Sequence, residues 1–108
     1  MNFRKVKTAR FYTLGCKVNQ YETQEMRERF LEAGVSEAAK GAKADIYIIN
    51  TCTVTQKADR ESMNFIHRSR RENPGGLVVV TGCMADPGQK KAQRRAIKQA
   101  GADIIAAN

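Results

Sequence analysis

Apolar runs and helical stripes alternate along the chain. Phe11 to Leu14 is a short β-prone run that breaks at Gly15-Cys16. Asn19 is placed to cap a helix over Gln20 to Ala33, with Met26, Phe30 and Leu31 on one face and Gly34 as a C-cap glycine. Val35 to Lys43 reads as a weak edge strand followed by a loop. Asp45 to Asn50 holds Ile46-Tyr47-Ile48-Ile49, a continuous apolar run expected of a strand covered on both faces, and it leads into Thr51-Cys52. A helix is expected over Gln56 to Glu72, with Ala58, Phe65, Ile66 and Ser69 on its apolar face, and Asn73-Pro74-Gly75-Gly76 turns the chain. Leu77 to Thr81 is the clearest buried strand, and Gly82-Cys83 ends it. Asp86-Pro87 has the N-cap and first-turn residues of a third helix, Pro87 to Ala100, in which Ala92, Ala96 and Ala100 align. Gly101 closes that helix, and Asp103 to Ala107 reads as a last strand.

Strand and helix alternate with no low-complexity linker. The expected architecture is a single α/β domain: a mainly parallel sheet with helices on both faces, flavodoxin-like or related. In such a sheet the C-terminal ends of the strands lie along one edge, where ligands of open α/β sheets bind. Cys16, Cys52 and Cys83, about 36 and 31 residues apart, are therefore expected to share that edge.

Composition adds to this picture. The chain has 108 residues, the size of one domain, with 42% hydrophobic content. No apolar run approaches the roughly 20 residues that cross a bilayer, and Met1 to Arg10 is basic rather than signal-like. A cytoplasmic protein without membrane association is expected. Lys and Arg number 19 against 11 Asp and Glu, a formal charge of +8, and the pI is near 9.8. Such a balance favours polyanions such as RNA, although each basic cluster is equally compatible with a solvated helix face. Lys90, Lys91, Arg94, Arg95 and Lys98 form the densest cluster. His67 is the single histidine and reads as a surface or half-buried residue.

Three cysteines cannot all pair within one chain, and a reducing compartment disfavours disulfides. They are either buried small residues or ligands. Helix N-termini that follow the strand ends favour thiolates and anions, which suits a metal centre. Structural zinc asks for four ligands, usually with a close Cys pair, and neither is present. A 4Fe–4S cluster on three cysteines would keep one iron open to an exogenous ligand. The competing reading is three structural cysteines. A phosphate or flavin site has no glycine-rich fingerprint here, and a thiol redox site has no CxxC.

Three motifs in order carry a resemblance: Thr13-Leu14-Gly15-Cys16-Lys17-Val18-Asn19-Gln20-Tyr21-Glu22-Thr23; Ala44-Asp45 leading to Ile49-Asn50-Thr51-Cys52-Thr53-Val54-Thr55; and Asn73-Pro74 leading to Val80-Thr81-Gly82-Cys83. Together they resemble the N-terminal domain of the methylthiotransferases, radical S-adenosylmethionine enzymes that place a methylthio group on tRNA or on a ribosomal protein. Lys17-Val18 is most similar to the MtaB branch, which acts on threonylcarbamoyladenosine beside the tRNA anticodon. The resemblance implies an auxiliary 4Fe–4S cluster on Cys16, Cys52 and Cys83, with one open iron, that supplies or carries the sulfur. It also implies a second 4Fe–4S cluster and S-adenosylmethionine in a radical domain, with tRNA as the partner of the whole enzyme. No cysteine follows Cys83, so the CxxxCxxC motif of the radical domain is absent, as is the C-terminal RNA-binding domain. Residues 1–108 are thus expected to be an excised auxiliary-cluster domain or fragment of a transferase, inactive alone. The alternative is a stand-alone basic α/β module that binds RNA and has structural cysteines.

Overall fold

The computed structural model describes residues 6–15, 17–52, 56–82, 85 and 91–106. The elements are β1 (Thr8–Thr13), α1 (Lys17–Glu32), β2 (Ser36–Glu37), β3 (Ile46–Thr51), α2 (Gln56–Glu72), β4 (Leu77–Gly82), α3 (Lys91–Ala100) and β5 (Ile104–Ile105). These five strands form one sheet in the order β2-β1-β3-β4-β5, and every neighbouring pair is parallel. This is the flavodoxin-like strand order.

The continuous apolar strands are continuous because both of their faces are covered. All six residues of β3 are buried. With the two-residue period of a strand, Tyr47 and Ile49 enter a core with Val78, Val80, Ile66 and Ile97 under α2 and α3, while Ile46 and Ile48 enter a second core with Ala9, Phe11, Val35 and Leu77. Met26 and Phe30 of α1 pack on that second core. Aromatic contacts follow the same alternation: Phe11 meets Phe30 edge-on at 5.5 Å, and Tyr12 stacks on Phe65 of α2 at 4.4 Å. Helix α1 thus covers one face, and α2 and α3 cover the other.

Several boundaries differ from the pattern-based expectation. Strand β1 starts at Thr8, inside the basic lead-in, because Ala9 is fully buried and the Asp45 carboxylate accepts the backbone N–H groups of Lys7 and Thr8 at 2.8 and 3.1 Å. Helix α1 starts at Lys17, so Asn19 lies in its first turn and is not its N-cap. Leu31 is exposed: it is rotated by about 100° from Phe30 on a helix, and Thr23 is the buried residue of α1 instead. On α3 the buried positions are Ile97 and Ala100, while Ala92 and Ala96 are exposed, since the larger apolar side chain sets which face turns inward. The edge strand after Val35 is only Ser36–Glu37. Strand β5 is shorter than expected, and Asp103 instead accepts the backbone N–H of Val78 at 2.9 Å and pairs with Arg70. The expected start of the third helix, Asp86 to Lys90, lies outside the described residues, as does Ala107.

Helices α1 and α3 end alike. At Gly34 the N–H of Val35 reaches Phe30 O at 2.8 Å and that of Gly34 reaches Leu31 O at 3.0 Å, a Schellman cap that uses the glycine's positive φ of 88°. Gly101 and Ala102 repeat these bonds onto Lys98 and Ile97.

Candidate functional site

The site sits where β1, β3 and β4 end side by side. Thr13 pairs with Asn50, Asn50 with Thr81, and Thr51 with Gly82, so the three strand ends are in register at one edge. Cys52 follows β3 directly and is 7% exposed, with a free thiol. Cys16 and Cys83 lie outside the described residues; in the sequence each follows a glycine that the structure does place.

Both glycines are set by close approach. A Cβ added to Gly15 would lie 2.9 Å from Cys52 Cβ and 3.0 Å from its Sγ. One added to Gly82 would lie 2.4 Å from Thr51 O and 2.6 Å from Asn50 Oδ1. Both residues also have positive φ, 93° and 85°, which a side chain would strain. Two turns without side chains therefore close on the end of β3, one against Cys52 and the other against the two residues that precede it.

A polar clamp fixes this edge. Asn19 Nδ2 donates to Leu14 O at 2.6 Å and to Thr51 O at 3.2 Å, tying the β1–α1 turn to the end of β3. Asn50, fully buried, donates from Nδ2 to Asn19 O at 3.0 Å and to Thr23 Oγ1 at 3.3 Å. Thr23 donates to Asn19 O at 2.9 Å and accepts from Thr13 Oγ1 at 2.7 Å. Thr51 Oγ1 donates to Thr81 O at 2.6 Å, which joins β3 to β4. Asn50 Oδ1 is buried on the Gly82 side and has no partner among the described residues. Buried carboxamides and hydroxyls are costly unless bonded, so this set holds one arrangement of the strand ends. The clamp has little signature in the sequence: the Asn-Thr pair before Cys52 and a threonine inside the polar half of α1 are its signals.

Of the remaining candidates, Lys17 is exposed at the start of α1, and His67 is exposed on α2. Among the described residues no three His, Cys, Asp or Glu side chains converge on a metal-sized site. Lys91, Arg95 and Lys98 are exposed, Arg94 is half-buried with its guanidinium 3.3 Å from Ala85 O, and Lys90 lies outside the described residues. No helix among the described residues is long and apolar enough to cross a membrane.

Residues 8–105 match the family described as Uncharacterized protein family UPF0004. The chain belongs to this family. Relatives of the UPF0004 domain are named as tRNA-modifying enzymes. Threonylcarbamoyladenosine tRNA methylthiotransferase MtaB of Bacillus subtilis (strain 168) is 50% identical over 78 residues, covering 72% of this chain and 17% of that protein. MtaB of Aquifex aeolicus (strain VF5) is 44% identical over 75 residues, covering 69% of this chain and 18% of its own. The tRNA-2-methylthio-N(6)-dimethylallyladenosine synthase of Novosphingobium aromaticivorans is 34% identical over 91 residues, covering 83% and 20%. Identity is higher with these two MtaB proteins than with the synthase, in the direction indicated by Lys17-Val18. The chain spans a fifth or less of the length of these relatives.

Proposed function

We propose that this UPF0004 domain is the auxiliary-cluster part of a tRNA methylthiotransferase, in which Cys16, Cys52 and Cys83 hold a 4Fe–4S cluster with one open iron. The observation that carries the reading is the closure of Gly15 and Gly82 on the end of β3: the residue before Cys16 touches Cys52, and the residue before Cys83 touches Thr51. The fit to a cluster is favourable. Cys52 supplies a thiol at the sheet edge, the glycines keep side chains out of the space between strand ends, and α1 begins there with its N-terminal N–H groups and Lys17. Such a terminus favours thiolate and the net negative charge of a thiolate-ligated cluster.

When bound, the cluster would supply or carry sulfur for the methylthio group. The chain's own residues have a mechanical share in that work. Asn19, Asn50 and Thr23 hold the cysteine-bearing turns in register, and thiolate ligands placed on rigid strand ends bind with little loss of freedom. The whole enzyme would act on threonylcarbamoyladenosine in tRNA, with a radical S-adenosylmethionine domain bearing a second cluster as partner.

A second reading rests on Cys52, which packs in the core under α2 and α3 with Leu14 and Ile49. It makes the cysteines structural and the domain a basic RNA-binding module. A domain exchange tests the first against the second. The Bacillus subtilis relative, with this chain in place of its own first domain, is assayed by mass spectrometry of tRNA nucleosides. Methylthiolated threonylcarbamoyladenosine that disappears with Cys52→Ala supports the auxiliary-cluster reading. A folded, cluster-loaded chimera that leaves the nucleoside unmodified contradicts it.

A further inference from the structure

The charge of this chain is sorted by layer. Helices α2 and α3, on one face of the sheet, carry nine Lys and Arg against three Asp and Glu. Helix α1, on the other face, carries three against four. A merely solvated helix face has mixed signs, and α1 shows that pattern, with Arg27 near Glu37 at 3.4 Å. The α2–α3 layer has one such pair, Lys57 with Glu61 at 4.0 Å, and is otherwise dominated by bases. Arg60, Arg68, Arg71, Lys91, Arg95 and Lys98 are all exposed, and none has an ion-pair partner among the described residues.

These six residues lie on the outward sides of two helices packed side by side on the sheet. On α2, Arg60 and Arg71 share one stripe with Asn64 and His67 at the i, i+4, i+7, i+11 spacing. On α3, Lys91, Arg95 and Lys98 share another. Between the helices runs an open groove of about 370 Å³ lined by Asp59, Arg60, Met63, Asn64, His67, Gln93 and Ala96. Asp59 in the groove and Glu61 and Glu72 on α2 offset part of this charge, but the bases of the two helices still outnumber the acids, and a polyanion would complement the excess. Both helices point their N-termini toward the strand C-terminal edge, so Arg60 and Lys91 lie at the Cys52 end and Arg71 and Lys98 at the far end.

We infer that the outward face of α2 and α3 is a docking surface for the phosphate backbone of RNA, running from the cysteine edge down the domain, and that the α1 face takes no part in it. Arg and Lys spaced along two helices suit backbone contacts, which position a nucleic acid without reading its bases. The occupant is identified by charge complementarity, and its identity as tRNA rests on the proposed function. The surface itself does not depend on the cluster.

The test is binding of an unmodified tRNA transcript to the 108-residue chain, measured by fluorescence anisotropy over a range of salt. The double variant Arg68→Glu/Arg95→Glu should bind about tenfold more weakly and reduce the slope of log affinity against log salt by about 2. The neutral pair Arg68→Gln/Arg95→Gln should fall between it and the parent, and Arg29→Glu on α1 should stay within about twofold. Circular dichroism melts check that each variant is folded. Equal losses from Arg29→Glu, an unchanged salt slope, or a parent chain that binds no tRNA at low salt but does bind an acidic protein would each overturn the inference. These titrations use the chain without added iron or sulfide, so failure of the cluster reading and failure of this one are told apart.

Discussion

The side-chain amide of Asn50 reaches from the end of β3 to the backbone carbonyl of Asn19, at 3.0 Å, in the first turn of α1. Asn19 returns the contact, its own amide donating to Thr51 O at 3.2 Å. Two asparagines thus lock the turn after β1 against the strand that carries Cys52. Asn50→Ala removes the donor that Asn19 O and Thr23 share. The expected loss is about 1–3 kcal/mol of stability, since Asn19 O and Thr23 Oγ1 each lose one of their donors in a buried setting. Urea denaturation measures it, and a change within error would mean that the clamp is slack.

Gly82 and Gly34 both have positive φ, 85° and 88°, but only Gly82 is crowded. Gly34→Ala meets nothing within 4 Å and should cost about 1–2 kcal/mol from backbone conformation alone. Gly82→Ala adds a methyl 2.4 Å from Thr51 O and should cost clearly more, with the strand ends forced apart. Equal midpoints for the two variants would contradict the close approach at the site.

Ile66 is fully buried under the sheet, and Leu31 is 60% exposed. Ile66→Ala should destabilise by about 2–5 kcal/mol through lost burial and the cavity left behind. Leu31→Ala should stay within about 0.5 kcal/mol. Thermal melts of the pair decide which residues form the core.

Tyr47 has its phenol pKa raised, first by burial and also by the nearby Glu72 carboxylate, against the opposing effects of the Ala44 N–H it accepts and of Arg10. The folded state therefore holds the phenolic proton more tightly than the unfolded chain does. Its contribution is fully present below the ordinary tyrosine value of about 10 and is lost as pH rises through the folded value. Tyr47→Phe should flatten the alkaline limb of the stability profile relative to the parent. Parallel limbs in urea titrations at successive pH values would contradict this.

Much of this architecture was legible in the residues. The runs Ile46 to Ile49 and Leu77 to Val80 are apolar without alternation because both faces are covered, and α2 has the bounds Gln56 and Glu72 that its pattern predicts. Alternation of strand and helix was enough to bring Gly15, Cys52 and Gly82 to one edge. Local capping logic failed at Asn19, whose amide serves two carbonyls, Leu14 O in the turn after β1 and Thr51 O at the end of β3, a tertiary role with no sequence period. Alanine spacing misled on α3, where Ile97 sets the inward face. The clamp at Asn50 and Thr23 was illegible for the same reason as Asn19: its partners are about 30 residues away in sequence.

Cys16, Cys52 and Cys83 are proposed to hold one cluster. Anaerobic reconstitution with iron and sulfide, followed by iron and sulfide analysis and EPR of the reduced protein, tests it most directly. The expected outcome is a coloured protein with equal iron and sulfide, an EPR signal on reduction, and loss of both in each of Cys16→Ala, Cys52→Ala and Cys83→Ala. A protein that stays colourless and EPR-silent, or a cluster that survives all three substitutions, would contradict it.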